Sequence, residues 1–257
     1  MTDRVVVVTG ASQGIGRHIA LAFGRAGHNV VAAARNEAGL GETVDLIRGA
    51  GGAATAIACD LRDPASVAAL AQRAESEAGP VDAVIANSGV AGPTGELWTI
   101  DPADWDETFR VNTAGTFLTC REFLPAMIER RSGSIVVIGS MTGKRPLYGR
   151  TPYAASKMAL VGLVRTLAWE VGSYGIRVNL ISPGATAGPR LDGVFAGQAE
   201  ARGITAEQAR DEFTSASPLG RMVQPGDVAA TALFLASDQA ASITGEDLNV
   251  SVGQAMY

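Results

Sequence analysis

Residues 4–27 read "RVVVVTGASQGIGRHIALAFGRAG", and this single stretch holds a strand, a turn and a helix. Val5 to Val8 are β-branched and stiff at χ1, which suits extended chain, and Gly10 closes the run. From Ile15 onward apolar residues return at helical spacing until Gly27 stops them. A strand that is apolar throughout, rather than alternating, belongs in a sheet covered by helices on both faces.

Working outward, the strand-then-helix unit recurs. Further strands are read at 29–35, 53–61, 81–89, 133–140, 176–184 and 246–252, with helical patterns between them. Seven strands and six helical regions predict an α/β chain: one Rossmann-like, doubly wound, seven-stranded parallel sheet with helices on both faces. No proline-rich, serine-rich or charged linker interrupts the alternation, so residues 1–257 are expected to form a single dinucleotide-binding and catalytic domain. Residues 185–217 break the rhythm, being longer than ordinary connections. One or two short helices and a lid over substrate are expected there.

The chain is 47% apolar and 18% charged, ordinary for a packed globular protein, and its 31 glycines fall between apolar runs as turns would. A net charge of −5 gives no electrostatic support for nucleic acid or an anionic membrane as partner. Small ligands are expected instead. Cys59 and Cys120 lack metal-ligand spacing and read as reduced, buried small hydrophobes, and His18 and His28 have no partners at ligand spacing, so no metal is expected. With no signal peptide or apolar span in the sequence, a cytoplasmic location is expected.

The turn "TGASQGIG" sets Gly10, Ser12, Gln13, Gly14, Ile15 and Gly16 at the carboxyl end of the first strand. Small residues let the backbone approach a pyrophosphate, whose charge is favoured at a helix N-terminus. Glycines also serve merely to pack a strand against a helix, but such sheets bind ligands at this edge. About twenty residues on, an acid would hold an adenosine ribose hydroxyl and a cation would accept a 2′-phosphate. Arg35 stands there. NADP(H) is therefore favoured and NAD(H) is possible; a merely solvated arginine is the plainer alternative.

"TPYAASKMAL" at 151–160 places Tyr153 and Lys157 four residues apart, an advance of about 400° and roughly 6 Å along a helix, so both project from one face. Thr151 as N-cap and Pro152 in the first turn would put the phenol near the positive helix end. A tyrosine free in water has a pKa of about 10. Lys157, the helix terminus and an oxidised nicotinamide would each favour the phenolate, making a proton shuttle possible. Ser140 ends the fifth strand and could donate to a substrate oxygen as charge develops there. Taken singly, each residue has an ordinary explanation as turn, surface or helix chemistry.

Together these stretches resemble the short-chain dehydrogenase/reductase family along essentially the whole chain. "TGASQGIG" is similar to its TGxxxGxG turn, and Asp60 with Leu61 to its adenine-contacting pair. Ala86 to Gly89, with Asn87 and Ser88 for an alanine, resembles NNAG, and Ser182-Pro183-Gly184 resembles the PG turn beside the nicotinamide. The resemblance implies a catalytic set of Asn112, Ser140, Tyr153 and Lys157, with Lys157 on the nicotinamide ribose and Asn112 holding a relay water. It also implies a homotetramer or homodimer. The threonine expected four residues after Gly184 is replaced by Gly188, with Thr186 coming early.

Substrate walls are expected from Tyr148 in the loop after Ser140 and from Leu191, Val194 and Phe195 in the insertion, beside Ser140 and Tyr153. Such walls suit a medium-sized carbonyl or alcohol, and Lys144, Arg145 and Arg150 could meet a carboxylate or phosphate. The expected function is an oxidoreductase interconverting a secondary alcohol and a ketone. A 3-oxoacyl-thioester reductase and a dinucleotide-binding sensor without turnover are the alternatives.

Overall fold

The computed structural model describes residues 4–256. Its strands are β1 (Val5–Thr9), β2 (Asn29–Ala34), β3 (Ala53–Ala58), β4 (Val81–Ala86), β5 (Gly133–Ile138), β6 (Ile176–Pro183) and β7 (Asp247–Val250). All pair in parallel, in the order β3-β2-β1-β4-β5-β6-β7. This is the doubly wound sheet that the apolar strands predicted.

Each central strand serves two cores because successive side chains point to opposite faces. Val5, Val7, Val31, Val84 and Ile135 face α3 (Pro64–Ala78), α5 (Gly115–Arg130) and α7 (Thr151–Val171), meeting Leu70, Phe123 and Leu160. Val6, Val8, Val30, Ile85 and Val136 face α1 (Gly14–Arg25), α2 (Glu37–Gly49) and α10 (Pro225–Ala236), meeting Ile19, Phe23, Leu40 and Leu235. Each such valine or leucine contributes about 1.5–3 kcal/mol by leaving water. That double burial leaves no alternation along the strand.

From β1 the chain steps outward through β2 and β3, then returns past β1 to begin β4 and steps the other way. The connections therefore diverge at the carboxyl ends of β1 and β4 and leave a crevice between them. Around that edge lie α4 (Pro102–Phe109), which runs through a π-helical turn at Arg110–Ala114 into α5, and the short α6 (Met141–Lys144). The insertion after β6 forms two helices, α8 (Pro189–Arg202) and α9 (Ala206–Ser215). They are joined by the Phe195 and Phe213 rings, 5.4 Å apart, and by ion pairs Arg202–Glu212 and Arg210–Asp192, both 2.8 Å. Among the described residues no helix is long and apolar enough to cross a membrane.

Candidate active site

The crevice is a cleft of about 1130 Å³ running from the glycine turn to α8. At one end Gly10, Ser12, Gln13, Gly14, Ile15 and Gly16 form its floor. A Cβ on Gly16 would stand 2.2 Å from the Gly10 carbonyl oxygen, so only glycine lets α1 start this close to β1. Gly14, at φ +55°, faces open space. Gln13, the N-cap of α1, gives no side-chain hydrogen bond to the first turn, whose amides are left to a ligand. Asn87 locks the ends of β1 and β4 together: its amide nitrogen donates to Thr9 O at 2.9 Å, and its backbone N–H to Thr9 Oγ1 at 3.0 Å.

Arg35, Asp60 and Leu61 line the same end, and Arg35 makes no hydrogen bond or ion pair within the described chain. Asp60 is held by Arg62 at 2.5 Å, a hydrogen bond that keeps its carboxyl below the usual range. Gly89, Pro183, Gly184 and Thr186 line the middle of the cleft, Thr186 Oγ1 donating to Gly184 O at 3.0 Å. An uncapped helix start, a turn that needs glycine at positions 10 and 16 and an unpaired arginine fit a dinucleotide carrying phosphates.

At the other end Ser140, Tyr153 and Lys157 line the cleft together. Tyr153 and Lys157 lie one turn apart on α7, and the Tyr153 hydroxyl makes no hydrogen bond within the described chain. Ser140 Oγ accepts the Thr142 N–H at 3.1 Å, which leaves its own hydrogen to donate. Lys157, 5% exposed, donates to Ile138 O at 2.8 Å; burial, with the Arg190 charge adding, pushes its ammonium down to about 7.

Asn112 sits in the π-helical turn, fully buried, and its side chain is used on two sides. Oδ1 accepts from Val90 N at 2.8 Å, while Nδ2 donates to Val90 O at 3.1 Å and to Ser156 Oγ at 3.0 Å. Ser156 Oγ in turn donates to the Tyr153 carbonyl at 2.8 Å. A Cβ on Gly89 would stand 2.9 Å from Asn112 Oδ1 and 3.4 Å from Lys157 Nζ, so this glycine admits both groups.

A family profile described as enoyl-(acyl carrier protein) reductase matches residues 10–255. The 2,3-dihydro-2,3-dihydroxybenzoate dehydrogenase of Bacillus subtilis (strain 168) is 34% identical, over 97% of this chain and 95% of its own. The crystal structure of a single-substitution variant of actinorhodin polyketide ketoreductase with NADPH superposes with a TM-score of 0.95 at 35% identity, covering 99% of this chain and 98% of that one. The structure of a 7α-hydroxysteroid dehydrogenase complexed with NADH and 7-oxo glycochenodeoxycholic acid gives 0.90 at 34%, covering 99% and 96%.

The chain belongs to the short-chain dehydrogenase/reductase family.

Within this short-chain dehydrogenase/reductase three expectations need correcting. Tyr148 does not line the cleft: its hydroxyl donates to a Glu96 carboxylate oxygen at 2.8 Å on the outer surface, because the loop turns between Leu147 and Gly149. Phe195 does not line it either; it is 1% exposed and packs edge-to-face with Phe213, leaving Leu191 and Val194 of the same helix as walls. Asn112 is buried behind the cleft wall, bonded to Val90 and to Ser156, the neighbour of Lys157. Thr151 is inside α7; the cap position falls on Arg150, without a side-chain cap.

Lys144 turns away to Asp247 at 2.7 Å, whereas Arg145 and Arg150 line the cleft of this dehydrogenase/reductase. Sequence reasoning missed Arg190, six residues past Gly184, whose Nη2 donates to Gly89 O at 2.6 Å. Its only signal was an arginine after Pro189 in a segment already read as a lid.

Proposed function

We propose that the chain is an NADP-preferring oxidoreductase that interconverts a secondary alcohol and a ketone, with Tyr153 as its general acid and base. One observation carries the reading: an unengaged Tyr153 hydroxyl shares a cleft with an uncapped helix start built for phosphates, and Lys157 stands one turn away.

NADP(H), when bound, supplies or accepts the hydride. The glycine turn and the first amides of α1 would hold its pyrophosphate, Asp60 and Leu61 its adenine, and Arg35 its 2′-phosphate. NAD(H) is the second choice, since similar solved structures hold NADPH in one case and NADH in another. Ser140 donates its hydroxyl hydrogen to the substrate oxygen and orients it. Tyr153 gives that oxygen a proton during reduction and takes it back during oxidation. Lys157, its ammonium pushed by burial down to about 7, stores or releases a proton at working pH, and Asn112 ties the Val90 backbone to the side chain of Ser156 beside it. Helices α8 and α9 act as the lid that keeps water out.

A 3-oxoacyl-thioester reductase is the second reading, supported by a putative ketoacyl reductase of Streptomyces coelicolor that is 36% identical over 99% of this chain. Free, buried Cys59 and Cys120 support a reducing, cytoplasmic setting. Self-association as a homodimer or homotetramer is supported by Phe117 on α5 with Met158 and Trp169 on α7, large apolar side chains left exposed. Light scattering reads that state directly.

The deciding experiment follows NADPH absorbance against ketones and a pantetheine-linked 3-oxoacyl substrate, with wild type and Tyr153→Phe. The variant is expected to lose at least about 100-fold in kcat while binding NADPH as before. Equal activity would remove Tyr153 from proton transfer. Binding without turnover on any substrate would favour a sensor. Titration of both dinucleotides against Arg35→Asp tests the phosphate preference, and unchanged discrimination would remove Arg35.

A further inference from the structure

The catalytic end of the cleft gathers cations that no carboxylate balances. Arg150, the N-cap of α7, and Lys157 flank Tyr153, three residues before it and four after, and Arg150 is 3% exposed with carbonyls and Thr94 as its hydrogen-bond acceptors. Arg190, from the first turn of α8, reaches across to the Gly89 carbonyl, beside Lys157 Nζ. Burial holds Arg150 and Lys157 below their ordinary pKa values, and in both the Arg190 charge adds to the lowering. Arg145 lines the same wall with no side-chain partner in the described chain.

The nearby acids are already committed. Glu212 pairs with Arg202 at 2.8 Å, Asp192 in the first turn of α8 with Arg210 at 2.8 Å, and Asp247 with Lys144 at 2.7 Å. Gly188 starts α8 without a side-chain cap, so the positive end of that helix points the same way. A concentration of like charge in a cleft with low-dielectric walls is relieved by an anion, and an arginine fork matches a carboxylate with two parallel hydrogen bonds.

We propose that the substrate carries a carboxylate, received by Arg190 with Arg145 as the second cation, so that the reacting pair is a hydroxy acid and an oxo acid. The proposal rests on the hydride-transfer reading above. Leu147, Leu191 and Val194 then cover the carbon skeleton between carboxylate and carbonyl.

The test uses ketones in matched pairs, 4-oxopentanoate against 4-oxopentanamide and 4-oxocyclohexanecarboxylate against its amide. Calorimetry on the protein loaded with NADP⁺ reads binding, and NADPH oxidation reads turnover. At least one carboxylate is expected to bind about tenfold or more tighter than its amide, as one charge-assisted pair requires. Arg190→Gln is expected to bring the two within about twofold, and Arg190→Lys to restore part of the gap. Failure of every carboxylate to bind tighter than its amide overturns the proposal. So does Arg190→Gln weakening NADP⁺ while the pair ratio stays intact, since Arg190 would then serve the dinucleotide. Discrimination in binding without NADPH oxidation leaves the carboxylate site standing and removes the hydride-transfer reading; equal oxidation with both members does the reverse.

Discussion

The Arg150 guanidinium lies over the Tyr153 ring, 5.1 Å from its centroid. From there it donates backwards, to Ala91 O at 2.6 Å and Thr94 Oγ1 at 2.9 Å, tying the segment after β4 to the first turn of α7. The phenol is thus held by a cation that is itself held by the opposite wall of the cleft. Replacing Arg150 by methionine leaves those buried acceptors without donors, and a loss of about 2–4 kcal/mol is expected in urea unfolding. Arg150→Lys should recover less than half of it, because an ammonium cannot reproduce the fork. Full recovery by lysine would show that charge alone matters.

Asn112 joins two elements that the sequence separates widely. Asn112→Ala removes the bridge from Val90 to Ser156 and should cost about 2–3 kcal/mol with a clear fall in kcat. Asn112→Asp should be no better, since it loses both donors and sets an oxygen against the Val90 carbonyl. An aspartate variant with wild-type stability and kcat would contradict this account.

Gly16→Ala would force a methyl group within 2.2 Å of the Gly10 carbonyl oxygen. The turn must then open, and NADP(H) affinity is expected to fall by more than about tenfold in a fluorescence titration. Gly14→Ala meets no atom and should cost only the left-handed backbone penalty, about 1–2 kcal/mol.

Lys157 gives the cofactor-free protein a stability that depends on pH. Folded, it holds its proton only below about 7; unfolded, it keeps it up to its ordinary 10.5. Between those values the unfolded state binds more protons, so stability rises with pH, by at most about 1.4 kcal/mol per unit. Cys120, pushed by burial to about 12 from an ordinary 9.0, works the opposite way above that value, because the unfolded thiol ionises first. Unfolding followed from about pH 7 to about pH 9 should show the rise in wild type and a flatter profile in Lys157→Met. Parallel profiles would place the lysine in a wetter setting than the structure gives it.

Val252 takes φ +51°, a conformation that a β-branched residue adopts only under constraint, while its carbonyl accepts from Ser217 Oγ at 2.9 Å. Val252→Gly should raise stability by about 1 kcal/mol, read as a higher Tm. A lower Tm would mean that packing of the valine side chain outweighs the backbone strain.

Much of this architecture was open to reading in one dimension because its causes are local. Val5 to Val8 are apolar on both sides, so the strand had to be covered on both faces. Gly10, Gly14 and Gly16 mark a tight turn, crowded at Gly10 and Gly16 and left-handed at Gly10 and Gly14, and Tyr153 and Lys157 share a face through helical geometry alone. The interruption of rhythm at 185–217 marked an insertion with one or two helices, and the structure gives two, Pro189–Arg202 and Ala206–Ser215. Tyr148 and Phe195 were misassigned because both lie on elements that do border the cleft. Which side of an element points inward depends on what packs behind it, Glu96 in one case and Phe213 in the other.

By itself, then, the sequence determined the order of strands and helices, the glycine turn and the Tyr153–Lys157 spacing, since each rests on neighbours within a few residues. Tertiary structure alone decided that Asn112 reaches Val90 and Ser156, that Lys144 is claimed by Asp247, and that Arg190 comes to rest beside Gly89 and Lys157. Asn112 is 22 positions from Val90, Lys144 is 103 from Asp247, and Arg190 is 101 from Gly89. Hydrogen bonds and charge act over a few ångströms of space, and only the folded sheet brings such distant segments within that range.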